Sequence, residues 1–548
     1  MIPSAGRMRS VSRWININTL GLVLLLATIG LSLGRVMRIH RELFESDKTV
    51  LRIGHAALEL GFREALDVVI AEYEQLHPDV KIIQNAVPQK IYGEWLNTQL
   101  ISDTAPDLVE LYLASMVLDE HYLASLFESL ADSIDRPNPY NAGTPLADWP
   151  WRATFLGGMR SGFREGLQDY YGAPITLATI RIYYNKQLLR EATGSDAPLD
   201  SFGQFLQACE SIQDLSERTG SKVTPIAGNL YIVGTFLRRY RVAFTAGYES
   251  EVDVDLDGLI SHRESYIGYL QGTTDMQASH IRAYFECMKE LSRHFGEGYL
   301  GLWRDQAAFL FVQGRAAMLA AGSWDATSLF MQSDFEIGVF DFPLPAEGER
   351  WGEYIAGREN EAGHAGSMVI GLYQGSKNKR QALDFLQFLT SRKYNEMLTR
   401  EAGWIPVITG AHPTERMKPF LPDPTGYPTG VDVRYSGYVY EVIHGEEWPF
   451  LHGEIDYEEF ARRVDRALRD PGYGGDRQWS QEYDQTWRWC RNQERVLATQ
   501  ASRILMDAAA PGGQERYNRL LLQQTLANNG ESIRYQFEQV RGKPISDM

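Results

Sequence analysis

Cysteine is scarce in this chain, whose 548 residues include only Cys209, Cys287 and Cys490. Three thiols do not make a disulfide framework, and an odd number leaves at least one of them unpaired or joined to another molecule. The sequence also contains no C-x-x-C pair and no His and Cys residues at the spacing of a metal site. A disulfide-rich scaffold and a zinc finger are therefore both excluded.

Basic residues are also in the minority, because 54 Lys and Arg stand against 71 Asp and Glu, for a net charge of −17. A nucleic-acid backbone demands a basic surface, so nucleic acid is not expected as a partner. G-x-S-x-G, H-E-x-x-H, P-loop and kinase signatures are missing as well,. Aromatic residues reach 11%, and with an acidic surface they suit a neutral ligand better.

Long apolar runs are missing except near the amino terminus. The run from Leu20 to Leu33 has 14 residues, extends from Ile15 to Gly34 if a few polar residues are tolerated, and has arginines on both sides. It predicts a secretory signal or a signal anchor within residues 1–47. Because no small-x-small cleavage site and no lipobox cysteine occur, an uncleaved anchor is favoured. We therefore expect a periplasmic or cell-surface protein attached to the cytoplasmic membrane through residues 15–34.

Strands and helices alternate from Val50 onwards, and the length of the chain predicts two or more domains. The pattern predicts the following elements: strand Val50–Gly54, helix Gly61–Leu76, strand Val80–Asn85, helix Tyr92–Ser102 and strand Leu108–Leu111. Such βαβ units form a parallel sheet, and ligands collect at the carboxyl ends of its strands. This nominates His55, Glu59, Asp107 and Tyr112 as ligand-binding residues.

The stretch from Phe309 to Asp325 reads FLFVQGRAAMLAAGSWD. A strand of small residues, Ala316 to Ala321, leads through Gly-Ser to Trp324 and Asp325. An indole can stack on the C–H face of a pyranose while a carboxylate accepts hydrogen bonds from hydroxyls. A buried Trp followed by a helix-capping Asp is the structural alternative.

This stretch resembles the F-x-x-G-x-A-A-M…G-x-W segment of family 1 extracellular solute-binding proteins, the maltose-binding-protein-like receptors of ABC importers. Three further segments are similar to the same family, in the same order: Val50–Ile83, Gly172–Leu189 with its YYNK motif, and Ala382–Pro406. The resemblance covers about residues 48 to 470. It implies an α/β, two-lobed periplasmic-binding-protein-like fold of type II, with lobes joined by crossing hinge segments.

The resemblance also implies a division of the chain. Residues 48–173 and 366–412 would form the first lobe, and residues 174–365 and 413–470 the second. Residues 471–548 predict a helical extension, with helical patterns at Gln478–Ala509 and Gln514–Gln539 whose docking place stays open. By their positions in the family, Tyr231, Arg434 and Tyr435 join the candidate ligand-binding residues. Trp404, in the turn after a predicted helix, is a further candidate as a stacking platform, and a hydrophobic anchor for that helix is the alternative.

The function implied is a receptor that captures a carbohydrate between the lobes and delivers it to an ABC permease in the membrane, without catalysis. One alternative is a sensory or structural binding protein that engages a partner through its carboxyl-terminal helices. Another is a glycoside-cleaving enzyme, because Asp107 and Asp325 could act as a carboxylate pair.

Residues 253–264, DVDLDGLISHRE, match a calcium-binding EF-hand loop independently of the resemblance. The ligand positions of such a loop would be filled by Asp253, Asp255, Asp257, Leu259 through its carbonyl, Ser261 and Glu264. Gly258 stands where the loop needs its sharp turn. A single loop of this kind predicts structural Ca²⁺ in the second lobe, and an acidic solvated turn is the alternative.

Overall fold

The computed structural model describes residues 48–111, 120–164, 169–256, 258, 260–363, 365–427, 430–432, 438–470 and 513–541. It also describes residues 474–475, 477–481, 483–484 and 488 and, from the predicted amino-terminal segment, Leu26, Thr28 and Gly30. Within these ranges, no helix combines the length and the apolar character needed to cross a membrane.

The strands of the described ranges are β1 (Thr49–His55), β2 (Val80–Ala86), β3 (Leu108–Glu110), β4 (Phe163–Arg164), β5 (Asp169–Tyr170), β6 (Ala173–Leu177), β7 (Ile180–Asn185), β8 (Thr224–Ala227), β9 (Ala316–Gly322), β10 (Ile337–Phe340) and β11 (Gly366–Leu372). The α-helices before β9 are α1 (Phe62–Leu76), α2 (Gln89–Ile101), α3 (Glu120–Leu126), α4 (Ala131–Ile134), α5 (Lys186–Thr193), α6 (Phe202–Thr219), α7 (Leu230–Thr245), α8 (Glu249–Val252), α9 (His262–Gln271), α10 (Ser279–Ser292) and α11 (Arg304–Val312). Those after it are α12 (Ala326–Gln332), α13 (Lys379–Leu389), α14 (Arg392–Ala402), α15 (Tyr438–Leu451), α16 (Tyr457–Arg469) and α17 (Gly513–Arg541).

The first sheet has the strand order β2-β1-β3-β11-β6. Its strands β1, β2 and β3 are parallel, as the alternation of strands and helices predicts, and β11 returns antiparallel between β3 and β6. Helix α1 buries Phe62, Leu66, Val69 and Tyr73, which recur every three or four residues and so share one face,. This face packs against the sheet and against α14.

The second sheet has the order β10-β7-β9-β8, in which β9 runs parallel to β8 and antiparallel to β7. All seven residues of β9 are buried, as expected for a strand enclosed on both faces,. Cys209 in α6 and Cys287 in α10 are free and buried.

The chain passes between the two sheets along three segments, and one buried ion pair joins all three. Arg181, just after the β6–β7 crossing, donates from Nη1 and Nη2 to the two carboxylate oxygens of Glu361, at 2.8 and 2.7 Å. Glu361 lies on the return segment before β11. Nη2 of Arg181 also donates to the carbonyl of Leu421 at 3.0 Å, on the third segment. Thr179 adds a hydrogen bond from its hydroxyl to the Phe420 carbonyl at 2.6 Å.

The carboxyl-terminal helix packs on the body of the protein. Phe537 of α17 stacks on Tyr483 with ring centroids 3.8 Å apart, and Trp479 stacks on Tyr266 of α9 at 4.8 Å. Tyr483 also donates its hydroxyl to the Arg263 carbonyl. The carboxyl-terminal residues therefore dock on helix α9, which begins at the end of the predicted calcium loop. The sequence alone did not identify this docking place.

We predict that Glu361→Gln destabilises the fold and removes part of its acid sensitivity. Burial alone raises the pKa of Glu361, but Arg181 and Arg239 outweigh this effect and hold the pKa at about 2. The stability contributed by the Glu361 carboxylate is therefore present above its ordinary pKa of 4.5 and is lost as the pH falls towards 2,. Breaking such a buried pair costs about 3 kcal/mol at neutral pH.

Urea unfolding at neutral and acidic pH measures this effect. Glu415→Gln is the matched control, because it removes an ion pair with Lys418 in which the Glu415 side chain is 86% exposed,. Equal unfolding free energies for the two variants would contradict the role given to Glu361.

Candidate functional site

The carboxyl edge of the first sheet brings several polar side chains together. β1 ends at His55 and the parallel strand β3 ends at Glu110, so both lie at the same edge. Glu110 accepts a hydrogen bond from the backbone N–H of Ala56 at 2.8 Å. Its pKa is raised to about 7, first by burial and then by the charge of Glu59. The loop from Ala56 to Gly61 therefore lies over a buried carboxyl group.

His55 is a buried residue at this edge of the first sheet. Its side chain is fully buried, its Nε2 lies 3.1 Å from Oε1 of Gln84, and its ring meets the edge of Phe62 at 5.5 Å. Burial lowers the pKa of His55, so its neutral form is favoured. Glu59, in the loop after β1, is half-buried. Of the two nominated residues, Glu59 alone has exposed surface for a ligand to contact.

The second sheet supplies Trp324 and Asp325 from the turn after β9. A Cβ atom on Gly322 would lie 2.2 Å from Cε2 of Trp324, so glycine is required for the indole to lie against the backbone. Asp325 lies 3.5 Å from Nη2 of Arg304. Burial raises the pKa of Asp325 to about 6, Arg304 lowers it, and Glu59 raises it further. The charge of Glu59, which follows β1 of the first sheet, thus contributes to the raised pKa of Asp325 in the turn after β9.

Trp404 lies where the part of the protein around the first sheet meets the part around the second sheet. It follows Gly403, which ends α14 in the left-handed conformation (φ +68°). The Trp404 ring stacks on Phe62 at 4.5 Å, and the residue is 7% exposed, which fits the hydrophobic anchor that the sequence gave as an alternative. Its Nε1 is buried and has no hydrogen-bond partner among the described residues. A Cβ atom on Gly403 would lie 2.7 Å from Oγ1 of Thr327, in the first turn of α12.

Besides the approach of Gly403 to Thr327, a second contact joins the part around the first sheet to the part around the second sheet. Nζ of Lys90, in α2, lies 4.3 Å from the ring centroid of Trp303, which precedes α11. Trp303 is 66% exposed. Tyr231 is 46% exposed in the first turn of α7, just after β8, whose carboxyl end lies beside that of β9. These residues border the region between the two sheets, which we call the opening.

Asp107 lies apart from this opening. It precedes β3, so it stands at the amino end of the strand, whereas Glu110 stands at the carboxyl end. Its carboxylate accepts hydrogen bonds from the backbone N–H of Arg52 at 2.8 Å and from the Ser376 hydroxyl at 2.6 Å. These bonds give Asp107 a structural role within the first sheet. The other nominated residues, Tyr112, Arg434 and Tyr435, lie outside the described residues.

Sequence reasoning missed Glu110, Arg304 and the contact between Lys90 and Trp303. A signal existed for Glu110, because it lies near the carboxyl end of the predicted strand Leu108–Leu111, where ligands are expected to collect,. For Arg304 there was none, because 20 residues separate it from Asp325 and only the fold brings the two side chains together.

A model of the bacterial extracellular solute-binding protein family matches residues 69–422, which is more than half of the chain. The chain belongs to this family. Membership implies a location outside the cytoplasm. Among curated proteins, no sequence matches this solute-binding protein.

Solved structures share the fold of this solute-binding protein at low identity. A chitin oligosaccharide binding protein is 17% identical with a TM-score of 0.54, covering 77% of this chain and 98% of its own. Apo RafE from Streptococcus pneumoniae is 17% identical with a TM-score of 0.53, covering 77% and 97%. The GacH receptor of Streptomyces glaucescens is 17% identical with a TM-score of 0.51, covering 77% and 98%. These similarities show the solute-binding-protein fold.

The predicted calcium loop of this solute-binding protein folds back on the start of α9. Ligand oxygens of Asp253, Asp255 and Glu264 lie within 4.8 Å of one another. Glu264 is buried, and it accepts hydrogen bonds from the backbone N–H groups of Ser261 at 2.9 Å and Val254 at 2.8 Å. Gly258 has φ +79°. Asp257 and Leu259 lie outside the described residues.

We predict that Glu110→Gln changes how the stability of this solute-binding protein depends on pH. The folded protein raises the pKa of Glu110 from 4.5 to about 7. The wild type therefore loses stability as the pH rises from the lower to the higher value, by about 3 kcal/mol if Glu110 acts alone. The variant keeps the backbone hydrogen bond and carries no charge, so this loss disappears.

Urea unfolding between these pH values checks the prediction, with Glu64→Gln, on the exposed face of α1, as the control. A pH profile shared by Glu110→Gln and the wild type would contradict it.

Proposed function

We propose that this chain is an extracytoplasmic receptor that binds a carbohydrate between its two sheets and delivers it to an ABC permease. The main support for this proposal is the opening, where Trp324 and Asp325 of the second sheet face Glu59 and Trp404 of the first sheet. Aromatic rings and carboxylates from both sides suit a polyhydroxylated ring with apolar C–H faces. A ligand that contacts both sides stabilises a closed arrangement of the two halves.

The related structures support the same ligand class. Their descriptions name chitin oligosaccharide for one protein, raffinose for RafE and acarbose for GacH.

The predicted lobe boundaries and the membrane anchor at residues 15–34 are also parts of this proposal. We infer binding without catalysis, since the family is one of solute-binding proteins. Sugar binding without product release is the result expected, and release of a cleaved product would favour the glycosidase alternative.

We predict that Trp324→Ala weakens saccharide binding by about 1 to 3 kcal/mol, the range for losing the contact area of a large apolar side chain. A thermal-shift screen over mono- and oligosaccharides identifies a ligand, because binding raises the melting temperature. Isothermal titration calorimetry then compares the wild type with the variant.

Trp149→Ala is the control, since Trp149 is 44% exposed, precedes the short helix Trp151–Thr154 and is not among the residues that border the opening. If Trp324→Ala loses stability and keeps its affinity, Trp324 is a core residue and the stacking role is wrong.

We also propose that residues 253–264 hold a structural Ca²⁺. The donors are oxygens, which suit Ca²⁺ better than zinc or copper. Support comes from the 12-residue pattern, from the approach of Asp253, Asp255 and Glu264, and from Asp253 Oδ1, which is buried without a hydrogen-bond partner in the described ranges. Bound Ca²⁺ would neutralise these carboxylates and fix the start of α9.

We predict that chelation with EGTA lowers the melting temperature of the wild type and has little effect on Glu264→Gln. Glutamine can keep the capping box that Glu264 forms with Ser261, so the comparison isolates the carboxylate charge,. Glu459→Gln, at the equivalent position of α16, controls for loss of a helix-start charge and should stay sensitive to EGTA. An unchanged melting curve with EGTA and no metal in elemental analysis would leave this segment an acidic turn.

A further inference from the structure

A lysine and a tryptophan meet between the part of the protein around the first sheet and the part around the second. Nζ of Lys90 lies 4.3 Å from the ring centroid of Trp303. Lys90 belongs to the first turn of α2, and Trp303 precedes α11, which packs against β8 and β9. An ammonium group over an aromatic face is attracted by the ring, and an indole is the best ring for this cation–π interaction. The contact therefore attracts the two parts of the protein to each other.

The starts of two helices position these side chains. The backbone N–H of Trp303 donates to Oε1 of Gln306 at 2.8 Å, and the Trp303 carbonyl accepts from the N–H of Ala307 at 3.1 Å. The ring is held at the surface, since Trp303 is 66% exposed. Lys90 stands where the helix dipole disfavours a positive charge, and it forms no ion pair with a described carboxylate,. Among the described residues, the Trp303 ring is the group that compensates this charge.

This contact lies far from the segments that cross between the sheets. Lys90 follows β2 by four residues, and β2 is one edge of the first sheet. The crossing to β7 leaves from β6, at the opposite edge. The strand order β2-β1-β3-β11-β6 puts four strand spacings, or about 19 Å, between these two edges,.

The approach of Gly403 to Thr327 lies nearer to the crossing. The Ile405 carbonyl, two residues after Gly403, accepts a hydrogen bond at 2.9 Å from the N–H of Leu177, the last residue of β6. A rotation about the crossing segments displaces atoms in proportion to their distance from the axis. Such a rotation therefore breaks the contact between α2 and Trp303 before it separates Gly403 from Thr327.

We propose that Lys90 and Trp303 form a latch, a weak contact that keeps the opening narrow and breaks when the two sheets turn apart to admit a ligand. The latch is independent of which ligand is bound, so it goes beyond the carbohydrate receptor function given above. Both side chains face water, and an exposed cation–π contact changes a population ratio about two- to fivefold. The latch thus biases the protein towards the narrow arrangement without locking it.

Double electron–electron resonance tests the latch in the full chain without added ligand. Spin labels on Thr98→Cys, exposed on α2, and on Gln313→Cys, exposed at the end of α11, report the separation of the two parts. The labelled background carries Cys490→Ser, and the described native thiols are buried. We expect Lys90→Met and Trp303→Ala each to raise the ratio of long to short distances about two- to fivefold. Combining them should add nothing, because both remove the same contact.

Lys393→Met is the matched control, because Nζ of Lys393 lies 4.4 Å from the ring centroid of Tyr394 within α14. It removes a cation–π contact of similar length that does not join the two sheets, and it should leave the distances unchanged. Lys90→Arg keeps a cation for the Trp303 ring and should behave as the labelled parent.

Three results would overturn the latch: an unchanged distance distribution in Lys90→Met, equal effects of Lys90→Met and Lys393→Met, or a labelled parent that shows the long distance alone. Because no ligand is used, each of these results leaves the carbohydrate proposal intact. Failure of every saccharide to bind would in turn leave the latch intact.

Discussion

The ion pair between Arg181 and Glu361 is the constraint on which the two-sheet arrangement depends. Arg181 is 4% exposed and Glu361 5%, so both charges have left water. Each is compensated: Glu361 contacts two guanidinium groups, and Arg181 uses its remaining donors on carbonyls. The pair lies where three chain segments pass from one sheet to the other. Any change in the angle between the sheets must therefore occur around this point, because separating the pair would expose two uncompensated charges.

In the opening, burial has the opposite effect on the pKa values of the carboxyl groups. At Glu361, arginines overcome the cost of burying a charge and the pKa falls, whereas Glu110 and Asp325 lack sufficient compensation and their pKa values rise. The protein thus contains compensated charges where the segments cross and poorly compensated charges where the sheets face each other. A ligand can supply the missing compensation only at the second place.

Much of the fold follows from local sequence pattern. The strands from Val80 and from Ala316 were predicted with their observed starts, because apolar pattern and composition are local properties,. Asp107 shows the limit of that reasoning. A structural carboxylate, Asp107, lies at one end of β3, and a candidate ligand-binding carboxylate, Glu110, lies at the other end, although only two residues separate them in the sequence. Trp404 could not be assigned either, since its neighbour Phe62 is more than 300 residues away. The site needed tertiary contacts that no local pattern encodes.

The contact between α9 and the carboxyl-terminal residues has a consequence for biosynthesis. The rings that cover Tyr266 belong to Trp479 and Phe537, which are translated more than 200 residues later. The second half therefore cannot complete its core on an emerging nascent chain. The packing of Tyr266 is therefore delayed until the residues that cover it have been made, which keeps this part of the core incomplete during the intervening synthesis.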